Sequence, residues 1–487
     1  MFDPAFLARD GGRFAKTVLT TLFPDLIPSI DDISAIKGIN GGVQNLNYHV
    51  TLTNGQAYFF SVLRPEHGQT IDAQRLKGCT SFLHHASQRG VLCPTPLAGA
   101  DNQFFHKVEA LEGKPYAILY RWLPGTDLET ATIDDAASAA RSLAQWAIAG
   151  QSFDASEMGS PLTIPSLKES FLTNLGLPAD TDLSSLSHDH AAIQQAALNL
   201  REKATKAEGT SQQIILQLAK RLETDLVPIV VEELTALDKK LPEFAQLPRT
   251  MCHKDLHAGN LLSTDQGLAI LDPDWIGRDI AVYDLGMMLA FWTLQPPAPY
   301  HFDANMAKTL ISEYDKVRPL SAEEKEALPD MVRAGATRFF MRRFMNVMTA
   351  DPANIRKSPE EFMERLQAFP YDTFPALIAE ATTLTQERKQ HYHIARTHQA
   401  FSTTHSYRIL VNTPALADTA NAFHQAFNAA REAVSTKNAE PLQTICQSIK
   451  HSVLAGSQCE KFIKQSLLTQ ISELQQIIQP SRSLTRL

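Results

Sequence analysis

At Pro124-Gly125 the hydrophobic pattern of the chain changes period, and that break limits the folds open to it. Before it, Leu46–Leu52 and Ala57–Leu63 read as strands on either side of Asn54-Gly55, a hairpin signal. A helix is predicted over about Ile71–Gln88, ahead of the breakers in GVLCPTP. Strand patterns return over 107–123, with Val108, Glu109 and Leu111 before the turn at Glu112-Gly113 and Tyr116–Tyr120 after it. Beyond the break, Thr132 opens a helical pattern through Ala140, Leu143 and Trp146, and helices dominate 186–240 and 301–348. One interruption, 251–275, consists of short apolar runs around Asp265-Gln266-Gly267. The predicted fold is therefore α+β and bilobal. A small, largely antiparallel sheet lobe spans 1–123, and a mainly helical lobe spans 124–367. The cleft between them is the natural ligand site.

The stretch 368–412 is poorly periodic, rich in Thr, His and Gln, and reads as a linker or irregular region. Residues 413–487 predict a helical extension of three helices. Their apolar stripes are Phe423, Phe427, Ala430 and Val434; Ile445, Ile449 and Val453; and Leu467, Ile471, Leu474 and Ile478. Pro441 suits the first turn of the middle one. These stripes predict core packing before a binding face, with protein or self-association as the other reading.

A net charge of -8, from 53 acidic and 45 basic residues, gives no basis for a nucleic-acid partner. The five cysteines lack paired spacing and suit a reducing compartment. The first residues carry no apolar leader core, and no stretch reaches the roughly 20 apolar residues that span a bilayer. A cytoplasmic protein without a membrane partner is expected.

The chemistry concentrates in His253-Lys254-Asp255-Leu256-His257-Ala258-Gly259-Asn260. After a turn, Leu268–Leu271 leads into Asp272-Pro273-Asp274-Trp275. Two strand-like runs joined by a turn bring Asn260 and Asp272 to one edge of a hairpin. An amide oxygen and a carboxylate there can ligate a hard cation, which phosphoryl transfer requires. Asp255 precedes Asn260 by five positions, the spacing of the catalytic Asp and metal-binding Asn in the protein-kinase catalytic loop. The loop Gly41-Gly42-Val43-Gln44-Asn45 is short and polar enough for its backbone to approach phosphates.

The string HKDLHAGNLL…LAILDPDW…VYDLGMML resembles the signature of the aminoglycoside and choline phosphotransferase superfamily, which has a protein-kinase-like fold. Over residues 30 to 367 the chain looks like the bacterial homoserine kinase branch. GGVQNLNYHVTLTNGQAYFFSVLRPE, GKPYAILYRWLPG, VRPLSAEEKEALPDMVRAGATRFFMRRF and KSPEEFMERL carry that likeness. The resemblance implies ATP and Mg2+ as cofactors, Asp255 as the catalytic base, and Asn260 and Asp272 as metal ligands. Asp284 would support the loop from a helix, and His253 would hold it by hydrogen bonds. Many superfamily members carry Lys where Ser61 stands; the homoserine kinase branch tends to have a small hydroxyl residue there, and Arg64 is a further phosphate candidate. His257, Gly259, Pro273 and Asp274 depart from the branch pattern, a difference that bears on the acceptor.

The function implied is transfer of the γ-phosphate of ATP to a small-molecule alcohol, with L-homoserine giving O-phospho-L-homoserine. Asp279 or Asp274 are candidates for the acceptor's ammonium, and Arg338, Arg342 or Arg343 for its carboxylate. Alternatives are a kinase for choline, ethanolamine, hydroxylysine or an amino sugar, with Trp275 and Trp292 as a cation-binding wall, and a nucleotide-binding pseudokinase scaffold.

Overall fold

The computed structural model describes residues 4–39, 45–63, 72–108, 115–128, 131–156, 158, 162–294, 296–383, 417–436, 438–452 and 458–478, with a few positions between 390 and 401. Five strands build the N-terminal sheet: β1 Ile33–Gly38, β2 Leu46–Leu52, β3 Ala57–Leu63, β4 His106–Lys107 and β5 Tyr116–Arg121. Their order is β1-β2-β3-β5-β4, every pair antiparallel. The two-residue period of a strand sorts the side chains onto two covered faces. Tyr58, Phe60 and Val62 of β3, with Ala117 and Leu119 of β5, face a core closed by Ala15, Leu19 and Phe23. Ile118 and Tyr120 point the other way, into the main core with Cys79, Phe82 and Leu83.

The helix Pro4–Leu22, which supplies Ala15 and Leu19, and β1 go beyond the pattern reading. In β1 only Ile33 is buried, so the strand shows no alternation. The next helix runs Ala73–Ser87, because the Asp72 carboxylate accepts from the N–H groups of Gln74 and Arg75 and caps it. Ile71, Glu109, Leu111 and the Glu112-Gly113 turn lie outside the described residues.

In the second lobe, 186–240 resolves into helices Ala191–Ala204, Gly209–Thr224 and Leu226–Phe244. The stretch 301–348 divides into Ala304–Val317 and Ala322–Thr349 where Ser321 and Glu324 form a capping box. The helical lobe is thus the larger of the two, and the bilobal α+β architecture is as expected.

Helix Tyr283–Trp292 lies tightly against Ala322–Thr349. A Cβ on Gly286 would sit 2.5 Å from the Met331 carbonyl carbon, an atom of rigid helix backbone. Gly286→Ala is therefore expected to cost about 1–3 kcal/mol through overpacking. A lowered denaturant midpoint with unchanged slope would register it.

The boundary expected at 367 moves. Phe369 and, on helix Phe374–Ala381, Phe374 and Ile378 belong to the core of the helical lobe. From there Ile394 and Phe401 join a separate core with Phe423, Phe427, Ala430, Val434, Ile449, Leu467, Ile471 and Leu474. Helices Ala417–Thr436, Glu440–Ser452 and Gln458–Ile478 enclose it, so the apolar stripes face one another. Val453 and the side chain of Ile478 lie outside the described residues. Among the described residues no helix is long and apolar enough to cross a membrane.

Candidate active site

Helix Ile133–Gln151 forms the floor of the site. A Cβ on Gly150 would fall 2.3 Å from Thr250 Oγ1 and 2.6 Å from the Met251 nitrogen, so only glycine admits the strand Arg249–Cys252 this closely. Thr250 Oγ1 donates to the Ala147 carbonyl at 2.6 Å, and Trp146 Nε1 donates to the Met251 carbonyl at 2.9 Å. This strand, paired with Gly277–Ile280, delivers the chain to His253 at a fixed point.

The loop that follows is tied down residue by residue. The Asp284 carboxylate, at the start of Tyr283–Trp292, accepts from the backbone N–H of His253 (2.6 Å) and of Lys254 (2.9 Å). Burial is the largest influence on Asp284 and raises its pKa despite these bonds. Lys254 has φ +66°, a left-handed conformation that disfavours any side chain. It is over-determined by its partners. Asp284 takes its N–H, Arg338 donates to its carbonyl, and its ammonium meets Asp279 Oδ2 at 2.5 Å with both side chains buried. His253 Nδ1 accepts the Asp255 N–H at 3.3 Å, which assigns the ring proton to Nε2, 2.7 Å from the Leu271 carbonyl. The buried imidazole thereby joins the loop to the strand that ends at Asp272.

Asp255 is 6% exposed. Its carbonyl accepts from Asn260 Nδ2 at 2.7 Å and from the His257 N–H at 3.1 Å. With its nitrogen so committed, the Asn260 amide is turned so that its oxygen points away from the Asp255 carbonyl. The hairpin Leu261–Thr264/Gly267–Ile270 continues through Leu271 N–H to the Asn260 carbonyl, 2.8 Å, and so brings Asp272 alongside Asn260. Asp272 lies exposed at φ +57°. Asp274 keeps an open surface, yet protein crowds its other sides. That desolvation, with the Asp272 charge next in size, pushes its carboxyl up to about 6.

Repulsion between Asp272 and Asp274, beside an oriented amide oxygen, is what a divalent cation would relieve, so the donor set fits magnesium. Among the described residues no group of three or more His, Cys, Asp or Glu is arranged to hold a metal. A cation here would share Asn260 and Asp272 with phosphate and water oxygens, as magnesium commonly does.

Arg342 Nη1 is 3.3 Å from Asp255 Oδ2, and its guanidinium carbon lies 4.3 Å from the centre of the Trp275 ring. Arg338 lies 5.0 Å from the same ring centre but is fully buried. Four expectations need correction. Arg338 donates to the Lys254 carbonyl instead of facing an acceptor. Arg343 turns away, to Glu361 Oε2 at 2.5 Å and the Ser358 carbonyl at 3.0 Å. Asp279 is engaged by Lys254. The aromatic wall for a cation does not form, since Trp275 already carries two guanidinium groups and Trp292 is buried in the core.

His257 Nδ1 accepts the Gly259 N–H at 3.1 Å and caps the short turn Ala258–Asn260; burial lowers its pKa. Ser61, 4% exposed on β3, donates to Asn47 Oδ1 at 2.8 Å, so its hydroxyl braces β2. Asn45 is described at the entry to β2, whereas Gly41, Gly42, Gln44 and Arg64 lie outside the described residues. Two residues escaped the sequence reading. Lys254 is the clamp described above, and a lysine at a buried strand end is the signal that could have exposed it. Arg75 Nη2 crosses from the first lobe to the Asp274 carbonyl at 2.6 Å, a contact across 199 positions with no local signal.

The sequence profile of the phosphotransferase enzyme family matches residues 35–320. The homoserine kinase of Xanthobacter autotrophicus is 25% identical over 341 residues, covering 69% of this chain and 89% of the relative. That of Gluconacetobacter diazotrophicus is 28% identical over 345 residues, covering 69% and 90%. Among solved structures, an amicoumacin kinase in complex with AMP-PNP and Ca2+ aligns with a TM-score of 0.46 at 13% identity, over 74% of this chain and 96% of that one.

Proposed function

Because the chain belongs to the phosphotransferase enzyme family, we propose that it transfers the γ-phosphoryl group of ATP to the hydroxyl of L-homoserine, giving ADP and O-phospho-L-homoserine. The observation that carries this choice is Arg342 at 3.3 Å from Asp255. A guanidinium beside the base suits an acceptor with an anionic end close to its hydroxyl. Choline or ethanolamine would bring a cation against Arg342 and Trp275, where positive charge already lies. The likeness to homoserine kinases over 69% of the chain supports the same choice.

In this reading Asp255 orients the acceptor hydroxyl and takes its proton. The hydroxyl oxygen bonds to the γ-phosphorus as the bond from that phosphorus to the β,γ-bridging oxygen breaks. Asn260 and Asp272 would hold magnesium, which would supply positive charge to offset that on the phosphates. Arg342 takes the acceptor carboxylate, and the exposed Asp274 would meet its ammonium.

Homoserine is expected to raise ADP production far above the rate without acceptor, with choline, ethanolamine, hydroxylysine and amino sugars near that basal rate. The reverse ranking would overturn the assignment. Arg342→Gln is expected to raise the KM for homoserine about tenfold or more, through loss of a charge-assisted hydrogen bond. It should leave the KM for ATP near the parent value. The preference for homoserine over the same amino alcohol lacking the carboxylate should shrink in the variant, and an unchanged preference would remove Arg342 from the acceptor site.

A further inference from the structure

The helix Ala417–Thr436 presents His424, Asn428 and Arg431 along one face, spaced by four and three residues. That face meets the catalytic unit. Gln145 Nε2 of helix Ile133–Gln151 donates to Asn428 Oδ1 at 2.7 Å, and a Cβ on Gly90 would lie 2.8 Å from that of His424. Arg431 is 6% exposed, and its Nη1 donates to the same Asn428 oxygen at 3.0 Å. The amide, gripped from both sides, fixes the orientation of the guanidinium. Its Nε and Nη2 are buried and have no hydrogen-bond partner among the described residues. Those two nitrogens form the edge that binds a carboxylate or phosphate with two parallel hydrogen bonds.

Among the described residues the surroundings of Arg431 add positive charge, and burial is the one influence that acts on its guanidinium. Arg89 and Arg431 both act on His424, and with burial as the larger cause they bring its pKa down to about 3. His398, whose Nε2 lies 3.3 Å from His424 Nδ1, is likewise held well below the ordinary histidine range by burial, then by His424 and Arg431. An independent sequence feature agrees. Between Glu387 and Asp418 the chain has no acidic residue but carries Arg388, Lys389, Arg396 and Arg408 with His391, His393, His398 and His405. That stretch therefore brings no carboxylate of its own, in a chain whose net charge is -8. A buried guanidinium without a counter-charge is costly, and an arriving anion removes that cost.

We propose that Arg431 is the centre of a second ligand site, at the junction between the C-terminal helices and the catalytic unit, that takes a small oxyanion. Nε and Nη2 of Arg431 engage two oxygens of the ligand, and Arg89 supplies further positive potential. A carboxylate and a phosphate satisfy the same edge, and the experiment separates them. This site is independent of the acceptor assignment.

The test follows thermal unfolding of the full chain at constant ionic strength as chloride is replaced by acetate or by inorganic phosphate. Wild type is expected to show a saturable rise with at least one of the two, and the more effective anion names the ligand class. Phosphate bound in the catalytic cleft contributes equally to wild type and to Arg431→Met, so the difference between them isolates the junction. That difference should account for most of the acetate or phosphate response. Should Arg431→Met fail to fold, Arg431→Lys keeps the charge without the two-pronged edge and is expected to need about tenfold more anion for half-saturation. No response in wild type to either anion, an undiminished response in Arg431→Met, or an Arg431→Lys titration matching wild type would each overturn the proposal.

Discussion

Asp272→Asn is expected to lower turnover about a thousandfold or more, the equivalent of several kcal/mol of lost charge stabilisation, while leaving ligand-free stability close to the parent. Asp272 is exposed at the end of the hairpin, so the amide replaces it without a cavity or an overpacked contact. The lost carboxylate matters only when a cation and phosphates must be held. Asp255→Asn should lose turnover as severely for a different reason. In the proposed reaction its carboxylate, beside Arg342, meets the acceptor hydroxyl, and its carbonyl, which accepts from Asn260 Nδ2, survives the substitution. Calorimetry with Mg-ATP beside turnover separates the two. Binding should be weakened in Asp272→Asn and nearly intact in Asp255→Asn. Equal, undiminished binding by both, with Asp272→Asn turning over near the parent rate, would defeat the metal assignment.

Asp284→Asn is the second large expectation, and here stability and activity fall together. A carboxylate can accept two backbone N–H groups, and Asp284 accepts those of His253 and Lys254. An amide has one oxygen, so one buried N–H would face an NH2 group. The cost is about 1–3 kcal/mol for the orphaned donor. Turnover should drop about a hundredfold, since a displacement of the Lys254 backbone moves Asp255 with it. The pH dependence gives a further signature. Burial raises the Asp284 pKa, so the folded chain holds this proton more tightly than the unfolded chain. The native state then binds more protons, and the stability tied to this group declines as pH rises through and above the ordinary carboxylate range. Asp284→Asn removes that component. A chemical denaturation series against pH, in parent and variant, would reveal it as a difference in slope. Parallel curves would show that Asp284 does not titrate in that window.

The parts of the site legible in the sequence are those built from neighbours along the chain. His253 to Asp274 form one loop, one hairpin and one short turn, so spacing alone brings Asp255, Asn260 and Asp272 together. Arg338, Arg342 and Arg343 stood as equal candidates for the acceptor carboxylate, and Arg338 and Arg342, four residues apart, do share a helix face and the Trp275 ring. Arg343, one residue on, is rotated by a further 100° about the axis and reaches Glu361 instead. What no local pattern carries is the pairing of distant elements. Asp279 has the composition of a ligand contact until Lys254, 25 residues earlier, is found against it. The same holds for β1, whose single buried side chain gives no period, and for helix Phe374–Ala381, whose tertiary packing sets the lobe boundary.

The left-handed Lys254 has one consequence for how this enzyme fails. Its amide, its carbonyl and its ammonium are each engaged by a buried group from another part of the lobe: Asp284, Arg338 and Asp279. Releasing the loop thus means breaking buried contacts to both Tyr283–Trp292 and Ala322–Thr349, the two helices packed together at Gly286. Fraying has no easy foothold there, because several buried contacts have to break together before the loop can open. Heat should silence such a molecule all at once, with little accumulation of chains that are still compact but have already lost the ordered loop from His253 to Asn260.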